Sequence, residues 1–367
     1  MIISVVFYTF VVFTAIQVIY YLVFSNFLSA KKNRKKLTEQ DPVSVIIFAK
    51  NCAKELQENL PFILSQKYSK LEILLLNNAS SDNTAEVIET FKKENENIKI
   101  LDIENNEAFW GNKKYALTLG IKAAKYEHLL FSEANCKPTS DTWIAEMSKE
   151  FTPKKSIVLG YSKYANKSSL LNFFIRFENL LSAIQCFSFT KLGAPFMAFG
   201  DNLAYKKSEF FKVKGFINHL KIKNDNGDLF IKDASTPNNT AFTISQNCFI
   251  ESNVTYSFGK WFQKLRIKNT IQKQYKFKNR FLLNFFNFSK LIFYVLGTIL
   301  FFYYSWQIML PIVLTYFIVQ FIVIGVSAKK LKEPYIIFLL PFLEIGLLLI
   351  QISIFSANLI SKPNHWK

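Results

Sequence analysis

The sequence predicts an α/β domain, a mostly parallel sheet flanked by helices, with one transmembrane helix before it and about three after it. Three observations carry that prediction. Uncharged apolar runs lie near both ends of the 367 residues. Between them, short β-rich runs alternate with stretches of helical periodicity. Each β-rich run stops abruptly at small or polar residues, where a strand leaves its sheet for a loop.

Composition limits the alternatives. Lys and Arg number 45 against 27 Asp and Glu, a net charge of +18, while half of the residues are apolar and 16% aromatic. So many buriable side chains exclude a disordered chain. Four cysteines (Cys52, Cys136, Cys186 and Cys248) form no CxxC pair and no framework for a disulfide-stapled domain. The basic residues follow membrane boundaries and form no aromatic-interleaved patch, so no nucleic-acid partner is expected. A basic domain beside an anionic leaflet is instead held against the membrane.

Residues 2–29 carry no charge. At about 1.5 Å per residue such a helix crosses a hydrocarbon core of roughly 30 Å with room to tilt. Lys31, Lys32, Arg34, Lys35 and Lys36 follow it. Basic residues after the apolar run, and none before it, describe an uncleaved anchor with the next segment in the cytoplasm. Residues 30–280 then form the domain, and 281–367 return to the membrane with spans near 284–304, 307–327 and 335–356. Ser305-Trp306-Gln307 is read as one turn, and Lys329, Lys330 and Lys332 mark the other. These charges place an inner-membrane, multi-pass chain with its domain in the cytoplasm and its C-terminus outside, the alternative being a re-entrant first segment containing Lys290, which would reverse the tail. Glu344 falls within the last span, where a carboxylate is costly: it is either paired or protonated against neighbouring helices, or functional.

Within the domain, 43–48 and 71–76 read as strands, joined by an amphipathic helix over 53–66 with Leu56, Leu60, Ile63 and Leu64 on one face. A helix over 82–95 follows, its start capped by Ser81 or Asp82. Strand 98–103, helix 112–126 and strand 128–132 continue the alternation. Ligands of such sheets gather beyond the carboxyl ends of the strands, here 49–52, 77–84 and 132–136. Residues 169–190 are strongly apolar but carry Arg176 and Glu178, which favours a helix at the membrane interface, with a buried core helix as the alternative.

At those strand ends the motifs become specific. Phe48-Ala49-Lys50-Asn51-Cys52 stands where family 2 glycosyltransferases have Pro-Ala-Arg-Asn-Glu after their first strand. Asn77-Asn78-Ala79-Ser80-Ser81-Asp82-Asn83-Thr84 resembles Asp-Asp-Gly-Ser-x-Asp-x-Thr. Gly111 to Gly120 resembles a Gly-Lys-Lys-Tyr-Ala-Leu helix, and Glu133-Ala134-Asn135 lines up with a metal-binding Asp-Ala-Asp. Gly200 to Tyr205, Asp225 to Phe230 and Trp261 to Arg266 resemble three later elements in family order. The chain is therefore similar to membrane-anchored family 2 glycosyltransferases of the GT-A fold.

That resemblance implies transfer of a sugar, with inversion, from a nucleotide-sugar donor to a lipid-linked or envelope-glycan acceptor. It implies Asp228 or Asp225 as the catalytic base, with His219 near in sequence. Asn51, Asn78, Asp82, Lys113, Lys114, Gln263 and Arg266 would contact substrate, and Glu133 and Asn135 would hold a divalent metal, Mg or Mn. Yet acids are missing against the family pattern: Cys52, Asn77, Asn78, Asn135, Asn226 and Gly227 are all neutral. A neutral amide is a weak ligand for a hard cation, so metal binding should be weakened. Asn78 still offers an amide oxygen to a pyrimidine, and Lys113 and Lys114 could face the diphosphate or be ordinary solvated lysines. Ile267 replaces the Trp of the Gln-x-x-Arg-Trp element of processive synthases. The alternative is a catalytically impaired relative acting as partner or regulator of an envelope-glycan enzyme.

Overall fold

The computed structural model describes residues 1–30, 40–104, 113–220, 222, 227–361 and 363. Its first elements are α1 (Ile2–Phe24), β1 (Val43–Ala49), α2 (Ala53–Leu64), β2 (Leu71–Asn78), α3 (Thr84–Glu94), β3 (Ile98–Ile103), α4 (Lys113–Ala123) and β4 (His128–Glu133). Strands β3, β2, β1 and β4 pair in parallel in that spatial order. The chain thus steps outward through three strands, and α4 carries it back across the sheet to β4. Strand order reverses between β1 and β4, which opens a crevice at their carboxyl ends. Gly120 makes the return crossing close: a Cβ there would stand 2.8 Å from a Leu76 methyl group.

Beyond β4 the elements, α6 apart, are too short for periodicity to reveal. They are β5 (Cys136–Pro138), α5 (Trp143–Ser148), β6 (Ile157–Leu159), β7 (Ser162–Tyr164), α6 (Leu170–Lys191), β8 (Leu203–Lys206), α7 (Lys207–Lys212), α8 (Asp228–Ala234), β9 (Thr240–Phe242) and β10 (Ile250–Ser252). β8 runs antiparallel between β4 and β6, and β9 pairs with β6 to complete seven strands. β5, β10 and β7 form a second, three-stranded sheet beside the crevice. α9 (Phe258–Gln272), α10 (Phe277–Leu300), α11 (Trp306–Lys330) and α12 (Leu340–Ile360) finish the chain.

Four segments are long and apolar enough to cross a membrane: Ile2–Ser29, Phe277–Leu300, Trp306–Lys330 and Pro334–Ile360. α10 begins seven residues before the apolar run suggested, because Phe277–Leu283 continues the helix through Lys278 and Arg280. Ser305 alone of the expected turn Ser305-Trp306-Gln307 lies outside a helix. α1 packs antiparallel along α10, as Tyr20 bonding Leu282 O (3.0 Å) and the stacked Phe10–Phe293 pair show. Glu344 is paired: it lies 2.8 Å from Lys290 Nζ and accepts from Tyr21, Tyr316 and Tyr294 at 2.9, 2.8 and 2.7 Å. One carboxylate therefore ties α1, α10, α11 and α12 together.

α6 is buried along most of its length and packs between the domain and the membrane helices. Arg176 on it reaches Glu333, which follows α11; the two side chains are only 3% and 1% exposed. Asn166 takes a third guanidinium hydrogen bond at 2.5 Å. Ser188, near the other end of α6, donates to Phe24 O at 2.8 Å. The buried reading of 169–190, held as the alternative, describes this contact geometry.

The end of the chain is tied to the domain. Arg266 on α9 bonds Asn358 Oδ1 (2.9 Å), Ala357 O (3.2 Å) and Ser361 O (2.5 Å) at the last turn of α12. Glu333, just before this segment, is held by α6, so both ends of 334–360 rest against helices of the domain. The segment stays long and apolar enough to cross a membrane, and these polar contacts fix its two ends against α6 and α9.

Two outcomes follow from these contacts. Arg176→Met should destabilise the protein by about 3–5 kcal/mol in thermal unfolding, and Arg176→Met/Glu333→Leu should recover most of it. In oriented vesicles an impermeant thiol reagent should label Ser361→Cys from the same side as Lys154→Cys, an exposed domain position; labelling from opposite sides would contradict the observed packing.

Candidate active site

A cavity of about 660 Å³ opens at the carboxyl end of β4. Its walls come from the β4–β5 connection, β7, α6, residues 197–201, the start of α8, and α9. Of the residues singled out from sequence, Lys113, Glu133, Asn135, Asp228 and Gln263 line it. Asn51, Asn78, Asp82, Lys114 and Arg266 do not, and Asp225 lies outside the described residues.

The strand register sets the first group. Phe48 on β1 is the partner of Glu133 on β4, and Ala49 is the partner of Asn77 on β2, so three carboxyl ends lie level. Lys113, at the start of α4, comes down over β1 with its Nζ 5.5 Å from the centre of the Phe48 ring and bonds Glu133 Oε1. The adjacent ammonium, more than any other influence, holds the Glu133 carboxyl below its ordinary value of 4.5. Burial acts to lower the Lys113 value, but Glu133 outweighs it and the lysine stays above its usual range.

Asp228 opens α8 directly after Gly227, whose φ of +92° is a conformation that favours glycine. The missing Asp at 227 is thus a backbone requirement of this turn. Asp228 is 7% exposed, and its carboxylate accepts from Ala198 N (2.8 Å) and Tyr275 OH (2.6 Å). Two donors fix the orientation of this carboxylate in the cavity wall.

Other candidates have structural work. Asn51, at φ +48°, accepts from Ser81 N at 2.7 Å, and Asp82 accepts from Ala53 N at 3.3 Å and from Thr84 N at 3.1 Å. These bonds clasp the loops after β1 and β2 to one another. Asp82 therefore does not share the hollow that holds Glu133 and Asp228. Asn78 is buried at the end of β2, and its Nδ2 donor has no partner among the described residues. Lys114 is 3% exposed and donates to His219 O at 3.0 Å, so it is neither solvated nor in the cavity. Arg266 points away, to α12, as described above.

Sequence reasoning missed Asp201 and Lys264. Asp201 lines the cavity and accepts from Ser162 Oγ at 2.7 Å; burial first, and then nearby Glu133, raise its carboxyl above the usual range. Its neighbour Asn202 is a fully buried hub, bonding Trp143 Nε1 (3.1 Å), Tyr161 O and Cys248 O (both 2.8 Å). Lys264 bonds Tyr164 OH (2.5 Å) and Tyr256 OH (3.2 Å). Burial favours its uncharged form, but the two phenol oxygens outweigh this and keep Lys264 above its ordinary value. The signal was the helical period: Lys260, Gln263, Lys264, Ile267, Lys268 and Ile271 form the cavity face of α9, and Arg266 falls on another.

Residues 44–218 match the family described as Glycosyl transferase family 2. The chain carries a family 2 glycosyltransferase domain. It is 34% identical over 150 residues to the poly-β-1,6-N-acetyl-D-glucosamine synthase of Staphylococcus epidermidis, covering 40% of this chain and 34% of that one. To the synthase of the same name from Staphylococcus aureus (strain COL) it is 32% identical over 200 residues, 53% of this chain and 47% of the other. The match thus spans less than half the length of these relatives. Among solved structures, the mannosyltransferase PcManGT from Pyrobaculum calidifontis, in complex with GDP-Man and Mn2+, superposes with a TM-score of 0.61 over 92% of this chain and 97% of that one. At 13% identity this likeness speaks for the fold alone, which is of the GT-A type.

A family 2 domain implies a divalent cation at Glu133 and Asn135, and the residues present do not fit one. Glu133 is already neutralised by Lys113, Asn135 offers only a neutral amide, and the neighbouring Asp201 accepts from Ser162 and has its carboxyl raised by burial and by Glu133, which disfavours the anionic form a hard cation needs. Among the described residues, no group of three His, Cys, Asp or Glu side chains could hold a metal ion.

The Lys113–Glu133 pair has a pH signature. A carboxyl depressed on folding contributes stability above its unfolded value, and that contribution is lost as pH falls through the folded value. The melting-temperature advantage of the wild type over Glu133→Gln should therefore be constant near neutrality and shrink only below the ordinary glutamate value of 4.5.

Proposed function

We propose that the chain is an inverting membrane glycosyltransferase that passes a sugar from a nucleotide donor to a lipid-linked or envelope-glycan acceptor at the cytoplasmic face. The observation that carries this reading is the position of Asp228, oriented by Ala198 N and Tyr275 OH and facing the same cavity as the β4 strand end. In the proposed step the acceptor hydroxyl gives its proton to Asp228 as its oxygen attacks the anomeric carbon. The bond from that carbon to the diphosphate breaks, and the nucleoside diphosphate leaves with the electron pair.

The setting supports an acceptor that arrives from the membrane. α6 and α9 wall the cavity on one face and contact α1 and α12 on others. A lipid-linked sugar could reach Asp228 without leaving the bilayer surface. The name of the Staphylococcus relatives makes a nucleotide-activated N-acetylglucosamine the first donor to try. A second reading, a partner protein without transfer activity, is favoured by the closed Lys113–Glu133 pair.

The test uses the full-length protein in detergent with a panel of labelled nucleotide sugars and membrane lipid extract. Asp228→Asn should lower turnover by about 10²–10⁴-fold, the usual contribution of a positioned base, with nucleoside diphosphate binding retained. Binding without turnover for every donor would favour the second reading.

A further inference from the structure

We propose that fixed lysine ammonium groups, Lys113 with Lys264, take the place of the divalent cation in this cavity, so that the nucleoside diphosphate binds and leaves without metal. The inference rests on the transferase reading above and adds how its leaving group is neutralised.

The departing diphosphate of any such donor needs positive charge held where negative charge develops. The residues at the usual cation position cannot recruit that charge from solution. Glu133 spends its carboxylate on Lys113, and the second ligand position is Asn135. What remains is the ammonium itself. Lys113 stands at the β1–β4 crevice, where strand order reverses, with its Nζ 5.5 Å from the ring centre of Phe48, the β1 partner of Glu133. A phosphate oxygen meeting Lys113 would share it with Glu133, as a metal ion is shared between protein and substrate.

Lys264 supplies the charge that Lys113 has already partly given away. Lys268 faces Glu178 at 2.6 Å, but the hydrogen-bond partners of Lys264 are two phenols. Phenol oxygens orient an ammonium without neutralising it. The carboxylates of Glu133, Glu178 and Asp201 balance its charge across the cavity without bonding it directly, so its ammonium can turn to a phosphate oxygen, and Tyr164 and Tyr256, 5.2 and 5.0 Å from Nζ to ring centre, hold it in place. A lysine is a compact point charge with three donors, suited to non-bridging phosphate oxygens.

The experiment measures binding of UDP and of GDP to the full-length protein in detergent by calorimetry, in EDTA and then in excess Mn²⁺. The expected result is an equal dissociation constant in both conditions. Lys113→Gln and Lys264→Gln should each weaken binding about tenfold or more, one charge-assisted contact being worth ~1.5–3 kcal/mol. Lys113→Arg should retain binding, and an unchanged melting temperature identifies variants that fold. Lys113→Gln/Asn135→Asp frees Glu133 and adds a carboxylate, so Mn²⁺ should strengthen its binding where it does nothing for the wild type. Wild-type binding that is lost in EDTA and returns with Mn²⁺ would overturn the lysine assignment and leave the transferase reading standing, as would folded lysine variants with full affinity. No binding of either nucleotide in any condition would overturn both.

Discussion

A charge removed from water must be neutralised close by, because its desolvation outweighs any packing gained around it. Much of this structure follows from that constraint. Lys290 and Glu344 meet among the membrane helices, and Arg176 and Glu333 meet where the domain joins them. Lys268 and Glu178 join α9 to α6, and Lys113 and Glu133 join α4 to β4 at the head of the cavity. Each pair links elements distant in sequence. A buried charge has few acceptable partners, so each pair also specifies one arrangement among several that apolar packing alone would allow.

α6 shows how this organises the site. Arg176 and Glu178 are two residues apart on a helix, so they point to different sides of it. One faces the membrane assembly and the other the cavity. The same helix thereby joins the apolar helices to the cavity wall.

The alternating part of the fold was legible because each of its strands and helices spans six residues or more. Val43–Ala49, Leu71–Asn78 and the helices between them carry enough residues for their period to appear. After Glu133 the strands are mostly three residues long, too short for a pattern of period two. Within the site, Glu133 and Asp228 were legible because motif order survived around them. Asp201 was not, because the resembling element has Arg in that place and a carboxylate there matched no expected role. Arg266 was misplaced for a geometric reason: a motif conveys which residues are near in sequence, while the helical period decides which of them share a face.

By itself the amino-acid sequence determined the membrane segments and the parallel α/β core, since both depend on local hydropathy and on periodicity along the chain. It also determined that the strand ends are poor in acids. Only the tertiary structure decided that Lys113 closes on Glu133, that Lys264 stands between phenols, and that the last apolar helix is held at both ends by the domain. All of these but Lys264–Tyr256 are contacts between residues 20 or more positions apart, and their energies depend on who is buried beside whom. No local pattern encodes that.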